Sequence, residues 1–417
     1  MATYTFDKLK EKYGSFQHPT VAVEVNDKEI GNPKKGFPIS DIVVDLTSGF
    51  EASTAEFSIY DVYDSTTATF QFEKVKKYIL LGSKVEIYLG YYEQVKSVFV
   101  GTITRVNFLF EKGEIPCIRV TAMDIKGIMM SGSYSKQLTA TSFSDAVSEV
   151  LNKTAYEKLK SVDIVRSVHV SDTPDKLRNM GQGAGTVTDK SIEMVAESDY
   201  EFVVKAAKKN NFEFFTECGH VYFRKAKSDT SILMEIGPNT GMHSFDVSYD
   251  VTGLVEKVTV RGMNVAKAQV ISADKKFSNK ISQGNKVKPL LKGSQKVYID
   301  STVSSKEEAE DRAASLMENM SYRYGSLECE LLGIPELLPG HFVKLSGLGT
   351  GADNCFYLTR VRHVLSQNGR YDTKLEGSAA SVGGSNALPG IGGAGMLSEG
   401  AGMLSEGADM LGGLGGF

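Results

Sequence analysis

Tryptophan is absent from this chain of 417 residues, and cysteine occurs only four times. No apolar run approaches the ~18 residues that a membrane-crossing helix needs, so no membrane span is expected. Cys117, Cys218, Cys329 and Cys355 lie far apart and form no C-x-x-C pair, so buried free thiols are expected rather than a disulfide framework or a zinc site. Excess charge of one sign is missing too. With 47 basic and 51 acidic side chains the formal net charge is −4, which gives no global reason for specific nucleic-acid binding. The amino terminus, MATYTFDKLKEKYGSF, lacks the apolar core of a signal peptide, so synthesis and folding in the cytoplasm are expected.

Catalytic signatures are also missing. His18, His169, His220, His243, His341 and His363 show no H-E-x-x-H or H-x-H spacing, no G-x-S-x-G elbow is present, and no Walker or dinucleotide fingerprint follows a strand. Gly181-Gln-Gly183-Ala-Gly185 lacks the Lys-Ser/Thr ending of a phosphate loop. Asp124 and His363 fall at strand ends and read as turn caps or satisfied polar groups. Catalytic, cofactor-binding and metal residues are therefore assigned to none, and the chain is expected not to be an enzyme.

Present in quantity are Phe (21), Tyr (18) and Gly (41), a balance that suits twisted sheet with turns better than a helical bundle. Alternating apolar residues run through Val21, Val23 and Val25, then Ile42 and Val44, Phe57 and Ile59, Val85, Ile87 and Leu89, and on to Ile118, Val120 and Ala122. Residues 1–134 therefore read as a first β-barrel domain. Helical spacing follows Ser142, and Ser198-Asp-Tyr-Glu201 is a capping box ahead of a second helix. A hairpin comes next, with Phe212 and Phe214 on one arm, Cys218-Gly-His220 at the turn, and Val221 and Phe223 on the other. Residues 135–238 read as a small α+β domain.

Strands resume at Leu254–Val260 and, after a helix near 305–320 headed by Ser305-x-x-Glu308, continue through 324–332, 341–346, 355–365 and 371–376. Residues 239–264 with 324–377 thus form a second barrel, interrupted by a Lys-rich insertion and helix over 265–323. The interval 265–298 holds eight lysines and one acid, Asp274, without the aromatic interleaving of a single-strand binder. It is expected to be solvated, or to touch an acidic neighbour in a particle.

An internal repeat orders these segments. Gly82-Ser-Lys-Val85-Glu-Ile87 matches Gly340-His-Phe-Val343-Lys-Leu345, and Ile103-Thr-Arg-Val106 matches Leu358-Thr-Arg-Val361. The expected fold is α+β, mainly β: two similar tube-forming β-barrel domains with an adjacent small α+β domain. A glycine-rich tail, 378–417, follows, in which Ala394-Gly-Met-Leu-Ser-Glu-Gly400 recurs every seven residues. As a helix it would present Leu397, Leu404 and Leu411 on a heptad seam, with Met403 and Met410 beside it. As a glycine-rich linker it would stay flexible until a partner orders it.

Several short motifs stand in a suggestive order: Leu89-Gly-Tyr91, Phe99-Val-Gly101-x-Ile103, Ala122-x-Asp124, Glu197-Ser-Asp199-Tyr-Glu-Phe202, Gly219-His-Val-Tyr-Phe223, Gly333-Ile-Pro335 and Leu338-Pro339-Gly340. Together, across residues 20 to 377, the chain resembles the phage late control protein D family, baseplate hubs of contractile tails similar to the base of the type VI secretion spike. The resemblance implies a homotrimer whose duplicated barrels match a six-fold tail tube to a three-fold spike. It implies as partners the tail tube protein, a separate spike protein, other baseplate proteins, and a tape measure or luminal cargo, in a virion or a released injection particle. Gly82, Gly101, Asp124, Pro339 and Gly340 become structural barrel positions; Leu397, Met403, Leu404, Met410 and Leu411 become contacts for spike or cargo. Two other classes stay open: a tail-associated peptidoglycan hydrolase, and an adhesin built of β-domains.

Overall fold

The computed structural model describes residues 2–31, 36–176, 192–264, 267–277, 287–349 and 351–382. The alternating first third becomes β1 (Pro19–Val25), β2 (Lys28–Glu29), β3 (Ile39–Thr47), β4 (Thr54–Ile59), β5 (Tyr63–Asp64), β6 (Thr69–Phe70), β7 (Lys84–Tyr91), β8 (Gln94–Leu109) and β9 (Cys117–Met123). Helix α1 (Phe6–Lys12) precedes them, and the single turn α2 (Phe72–Val75) lies between β6 and β7. The middle of the chain carries α3 (Ile125–Met129), β10 (Tyr134–Gln137), α4 (Phe143–Leu151), α5 (Thr154–Ser161), β11 (Ser167–Val170), β12 (Glu193–Glu197), α6 (Asp199–Asn210), β13 (Phe212–Glu217) and β14 (His220–Lys225). The rest comprises β15 (Ile232–Ile236), β16 (Met242–Tyr249), β17 (Lys257–Asn264), β18 (Gln269–Lys276), α7 (Val287–Leu291), β19 (Gln295–Ile299), α8 (Lys306–Ser321), β20 (Gly325–Leu332), β21 (Phe342–Leu345), β22 (Asn354–Leu365) and β23 (Tyr371–Ala379).

The helix starts follow from local chemistry. Ser142, Ser198 and Ser305 each sit in extended backbone and accept a hydrogen bond from the amide three residues on, and Ser198 with Glu201 completes a reciprocal capping box. The hairpin also forms as the pattern predicts, with β13 antiparallel to β14 and β11 added in parallel at its outer side.

Most strands join one large sheet in the order β16-β20-β23-β22-β3-β4-β9-β8-β7-β1-β2, with β21 on β22 and β15 on β21. Every neighbour along that main path is antiparallel, whereas β15 and β21 run parallel. This differs from the two closed barrels expected above: among the described residues the pairing is a single open path. The reason lies in β22. Its first residues, Asn354–Tyr357, pair with β21, and further along Arg360–Leu365 pair with β3 of the first half. Because β23 holds the opposite edge of β22, the edge that could return to its own half is taken by the other half. One apolar core accordingly spans both halves, from Val23, Val44, Phe57 and Ile87 to Leu327, Val343, Phe356 and Val361.

Two expected boundaries move. Strand β15, placed above in the α+β segment 135–238, joins the large sheet through β21. Strand β17, placed above in the second barrel, pairs instead with β18 and β19. Part of the Lys-rich interval is therefore folded: Val258, Val260 and Ala273 bury one face of this small sheet against Ala309, Ala313, Met317 and Met320 of α8.

Candidate assembly site: the repeat junction and its wedge domain

The internal repeat appears as matched hydrogen bonds. Gly82 N–H donates to the Ile103 carbonyl at 2.8 Å and Ile103 N–H returns to Ser83 at 2.9 Å; Gly340 N–H donates to Leu358 at 2.9 Å and Leu358 N–H returns to His341 at 2.8 Å. Both glycines lie in the left-handed region, with φ of 83° and 88°, where a side chain would be strained. Beyond them both long strands slip register ahead of an arginine, between Ile103 and Arg105 on β8 and between Leu358 and Arg360 on β22. The residue left over is a threonine each time. Thr104 Oγ1 donates to Thr121 O at 3.3 Å and Thr359 Oγ1 to Glu376 O at 3.2 Å, so each bulge re-aims a hydroxyl onto the facing strand. The two halves meet where β3 lies along β22, and there Arg360 holds Asp45 through Nε at 2.7 Å and Nη2 at 2.9 Å.

The small α+β domain is wedged against both halves through its hairpin. Toward the first half, Thr216 Oγ1 donates to Asp124 at 2.7 Å, and Arg166 forks onto Glu86 of β7 at 2.7 and 2.8 Å. Toward the second half, Tyr357 donates to Glu213, while Arg224 reaches Glu213 at 2.6 Å and the Gly340 carbonyl at 2.6 Å. Burial pushes the Glu213 carboxyl above its ordinary range, with Arg224 and the Tyr357 hydroxyl opposing. His341, beside Gly340, faces Glu217 at 3.5 Å and Asp229 at 3.2 Å.

The positions singled out in the sequence do not converge on one cleft. Gly82 is open, and a Cβ there would meet nothing within 4 Å. A Cβ on Gly101 would lie 2.2 Å from the Met123 carbonyl oxygen, so glycine allows β8 and β9 to approach. Asp124 caps α3 and accepts from Lys126 N at 2.9 Å, Ser53 N at 3.1 Å and Thr216. Its neighbour Lys126 is wholly buried and donates to the Gly49 and Glu51 carbonyls at 3.0 and 2.7 Å, and that burial lowers its pKa. Pro339 is buried and leads into Gly340, where a Cβ would lie 2.7 Å from the Phe215 ring. His363 is buried between Thr373, Tyr371 and the Leu337 carbonyl. Leu397, Met403, Leu404, Met410, Leu411 and the run Gly181–Gly185 lie outside the described residues.

Sequence reasoning missed the Glu213–Arg224 pair, although a signal existed: the two residues stand directly opposite in a hairpin whose turn was legible. Arg166–Glu86 and Arg360–Asp45 join segments far apart in the chain and left no local trace. Among the described residues no group of three or more His, Cys, Asp and Glu side chains gathers as a metal ion would require, and no helix is long and apolar enough to cross a membrane.

A mainly β chain with a large, internally repeated antiparallel sheet and an α+β wedge is the class this architecture defines. Solved structures of the same fold include the tail protein from Neisseria meningitidis MC58, with a TM-score of 0.59 and 14% identity over 89% of this chain and 98% of that one. The 43 kDa tail protein of prophage MuSo2 from Shewanella oneidensis gives 0.61 and 11% over 86% and 98%. The E. coli c3393 protein, a component of the type VI secretion system with structural similarity to the T4 bacteriophage tail proteins gp27 and gp5, gives 0.51 and 10% over 88% and 78%. No curated protein matches the sequence. The chain belongs to the family described as the Alg8 N-terminal domain, whose model matches residues 17–367.

Proposed function

We propose that this protein is a structural baseplate hub of a contractile tail or tail-like injection particle, forming a homotrimeric ring that adapts a six-fold tail tube to a three-fold spike. The observation that carries the proposal is the repeat, whose glycines, bulges and threonine hydrogen bonds recur in the two halves. Three copies of a duplicated chain offer six similar modules, which resolves a three-to-six mismatch with one gene product. The fold shared with two tail proteins and a type VI secretion component supports the same assignment, as does the resemblance to the late control protein D family. The role is structural rather than enzymatic. Its partners are the tail tube protein, a separate spike, other baseplate proteins and a tape measure or luminal cargo, and its place is the virion or the released particle.

In this proposal residues 1–134 and 239–264 with 324–377 supply the tube modules, with β17 reassigned as above. Residues 135–238 brace them, 265–323 form the insertion and helix, and 378–417 reach the spike or cargo. Mass photometry of the purified protein, alone and with tail-tube protein, tests it. A trimer of about three chain masses is expected; a monomer under both conditions overturns the hub. Clearing zones on peptidoglycan would instead favour the hydrolase class.

A further inference from the structure

We infer that the outward face of the small sheet β18-β17-β19 is a docking surface for this chain's own glycine-rich tail, whose Met-Leu pairs and acids it matches in apolar and charged character. The inference goes beyond the hub proposal and does not rest on it. Where that proposal gives the tail to a spike or cargo, this face holds it until one arrives.

The register of the sheet settles its two faces. Val258, Val260 and Ala273 turn toward α8, so the residues alternating with them turn away from it. On that outer side Met263 stands opposite Val270, Thr259 opposite Val297 and Arg261 opposite Ile299. The apolar members are far from covered: Ile299 is 88% exposed, Val270 76%, Met263 49% and Val297 41%. Four apolar side chains in solvent on one face of a three-stranded sheet mark a contact surface.

Charge on the same face is unbalanced. Lys257 and Lys276 stand directly opposite each other, an arrangement that costs stability unless an anion answers it. The one acid on this face, Asp274, accepts from Lys257 at 3.1 Å and from Thr259 at 2.6 Å. Lys276 and Arg261 are exposed and have no carboxylate within ion-pair distance among the described residues. A surface that is apolar and cationic fits a partner that is apolar and anionic.

The tail has that composition, and it starts beside the sheet. Residues 383–417 lie outside the described residues; their sequence holds Met396-Leu397, Met403-Leu404 and Met410-Leu411, the acids Glu399, Glu406 and Asp409, and no lysine or arginine. Val382, just before them, packs on the core that the sheet shares with α8, and Asn354 holds the Ser381 carbonyl at 2.8 Å. Residues 383–395 span ~40 Å when extended, against ~10 Å across three strands, so the repeat reaches the outer face of its own chain. Leu397 and Glu399 are two residues apart, as are Leu404 and Glu406, so an extended backbone sets each leucine and its acid on one side. Met263 and Arg261 are two residues apart on β17 and offer an apolar and a cationic site at the same spacing.

Photocross-linking of the full-length protein tests the docking. With Leu404→p-benzoylphenylalanine, illumination followed by peptide mass spectrometry should place most cross-links on β17, β18 or β19, in a product that runs at the mass of one chain on a denaturing gel. Arg261→Glu with Lys276→Glu, both at exposed positions, should lower that yield about tenfold with an unchanged circular dichroism spectrum. Adding Glu399→Lys and Glu406→Lys to that variant should restore it. Cross-links that join two chains overturn the assignment to the chain's own tail. Scattered cross-links, or none, from a protein with the native spectrum overturn the docking, and so does a charge-reversed variant that cross-links as the wild type does. Mass photometry of the same samples reads the hub proposal separately: a trimer without these cross-links leaves the hub standing, and a monomer that forms them leaves the docking standing.

Discussion

Acid should loosen this protein in a pH window set largely by one buried ring. His363 is fully enclosed, with Nε2 donating to the Leu337 carbonyl at 3.2 Å and Nδ1 accepting from the Tyr371 hydroxyl at 2.9 Å. Burial disfavours its charged form and pulls the pKa down to about 4. In the unfolded chain the imidazole binds a proton below ~6.5. Between these values the unfolded state holds more protons than the native one, so stability rises with pH across the window and is lost as pH falls from ~6.5 toward ~4. At ~1.4 kcal/mol per pH unit, the loss between pH 7.5 and 4.5 amounts to about 2.5 kcal/mol.

The variant His363→Phe, carrying the residue that its counterpart Phe108 already has, removes that titration. It also removes the imidazole that the Tyr371 hydroxyl and the Leu337 carbonyl share, which costs ~1–3 kcal/mol at every pH. Urea unfolding at pH 7.5, 6.5, 5.5 and 4.5 should therefore find the variant less stable at neutral pH but with a much flatter pH profile. His220, whose pKa burial also lowers, adds slope of the same sign, while Glu213, raised by burial, adds slope of the opposite sign just above the ordinary carboxylate range. Glu217 and Asp229 do not confound the window. Burial raises both, but His341 beside Glu217 and the Ser231 hydrogen bonds to Asp229 outweigh it, so their stabilisation is lost only below the ordinary carboxylate range. A variant with the wild-type slope between pH 6.5 and 4.5 would refute the assignment to His363.

Three further outcomes follow from the same geometry. Gly340→Val should lower the melting temperature well beyond Gly82→Val, since both add ~1–2 kcal/mol of left-handed backbone strain but only Gly340 drives a Cβ to 2.7 Å from Phe215; equal shifts in differential scanning fluorimetry would contradict this. Glu213→Ala should destabilise by ~3–5 kcal/mol, because it leaves Arg224 and the Tyr357 hydroxyl without their shared carboxylate, and chemical unfolding reads it directly. Removing residues 384–417 should leave the trimer intact and abolish spike capture, and replacing Leu397, Leu404 and Leu411 by Ser should act alike at ~1.5–3 kcal/mol per buried leucine; normal spike occupancy in pull-downs of both would reduce the tail to a linker.

What was legible in the sequence is what depends on near neighbours. A serine three residues ahead of an amide it can accept from is a local device, so Ser142, Ser198 and Ser305 mark helix starts without knowledge of the fold. Period-two alternation is equally local and names strands, but it is silent on which strand lies beside which. Val258 and Val260 alternate as the large sheet's strands do, yet they pair with the lysine-rich β18, whose Lys275 and Lys276 are exposed while Ala273 turns inward. The same silence let an open sheet, continuous through β3 and β22, be taken for two barrels.

The repeat was legible because it rests on backbone requirements: a left-handed glycine heading a strand and a threonine displaced by a bulge need particular residues wherever they recur. Side-chain environment carries no such requirement, and there the halves diverge. Phe108 and His363 occupy one place in two copies of the same unit, the first half exposed and the second sealed. No property of phenylalanine or histidine in one dimension reveals which will be covered. His363 is enclosed by the Tyr371 hydroxyl, Thr373 and the Leu337 carbonyl of its own half, whereas Phe108 packs edge-on against Phe70 and Phe72. What decides the difference is which distant segment folds back over the strand, and that is set by the pairing of the whole sheet rather than by the residue itself.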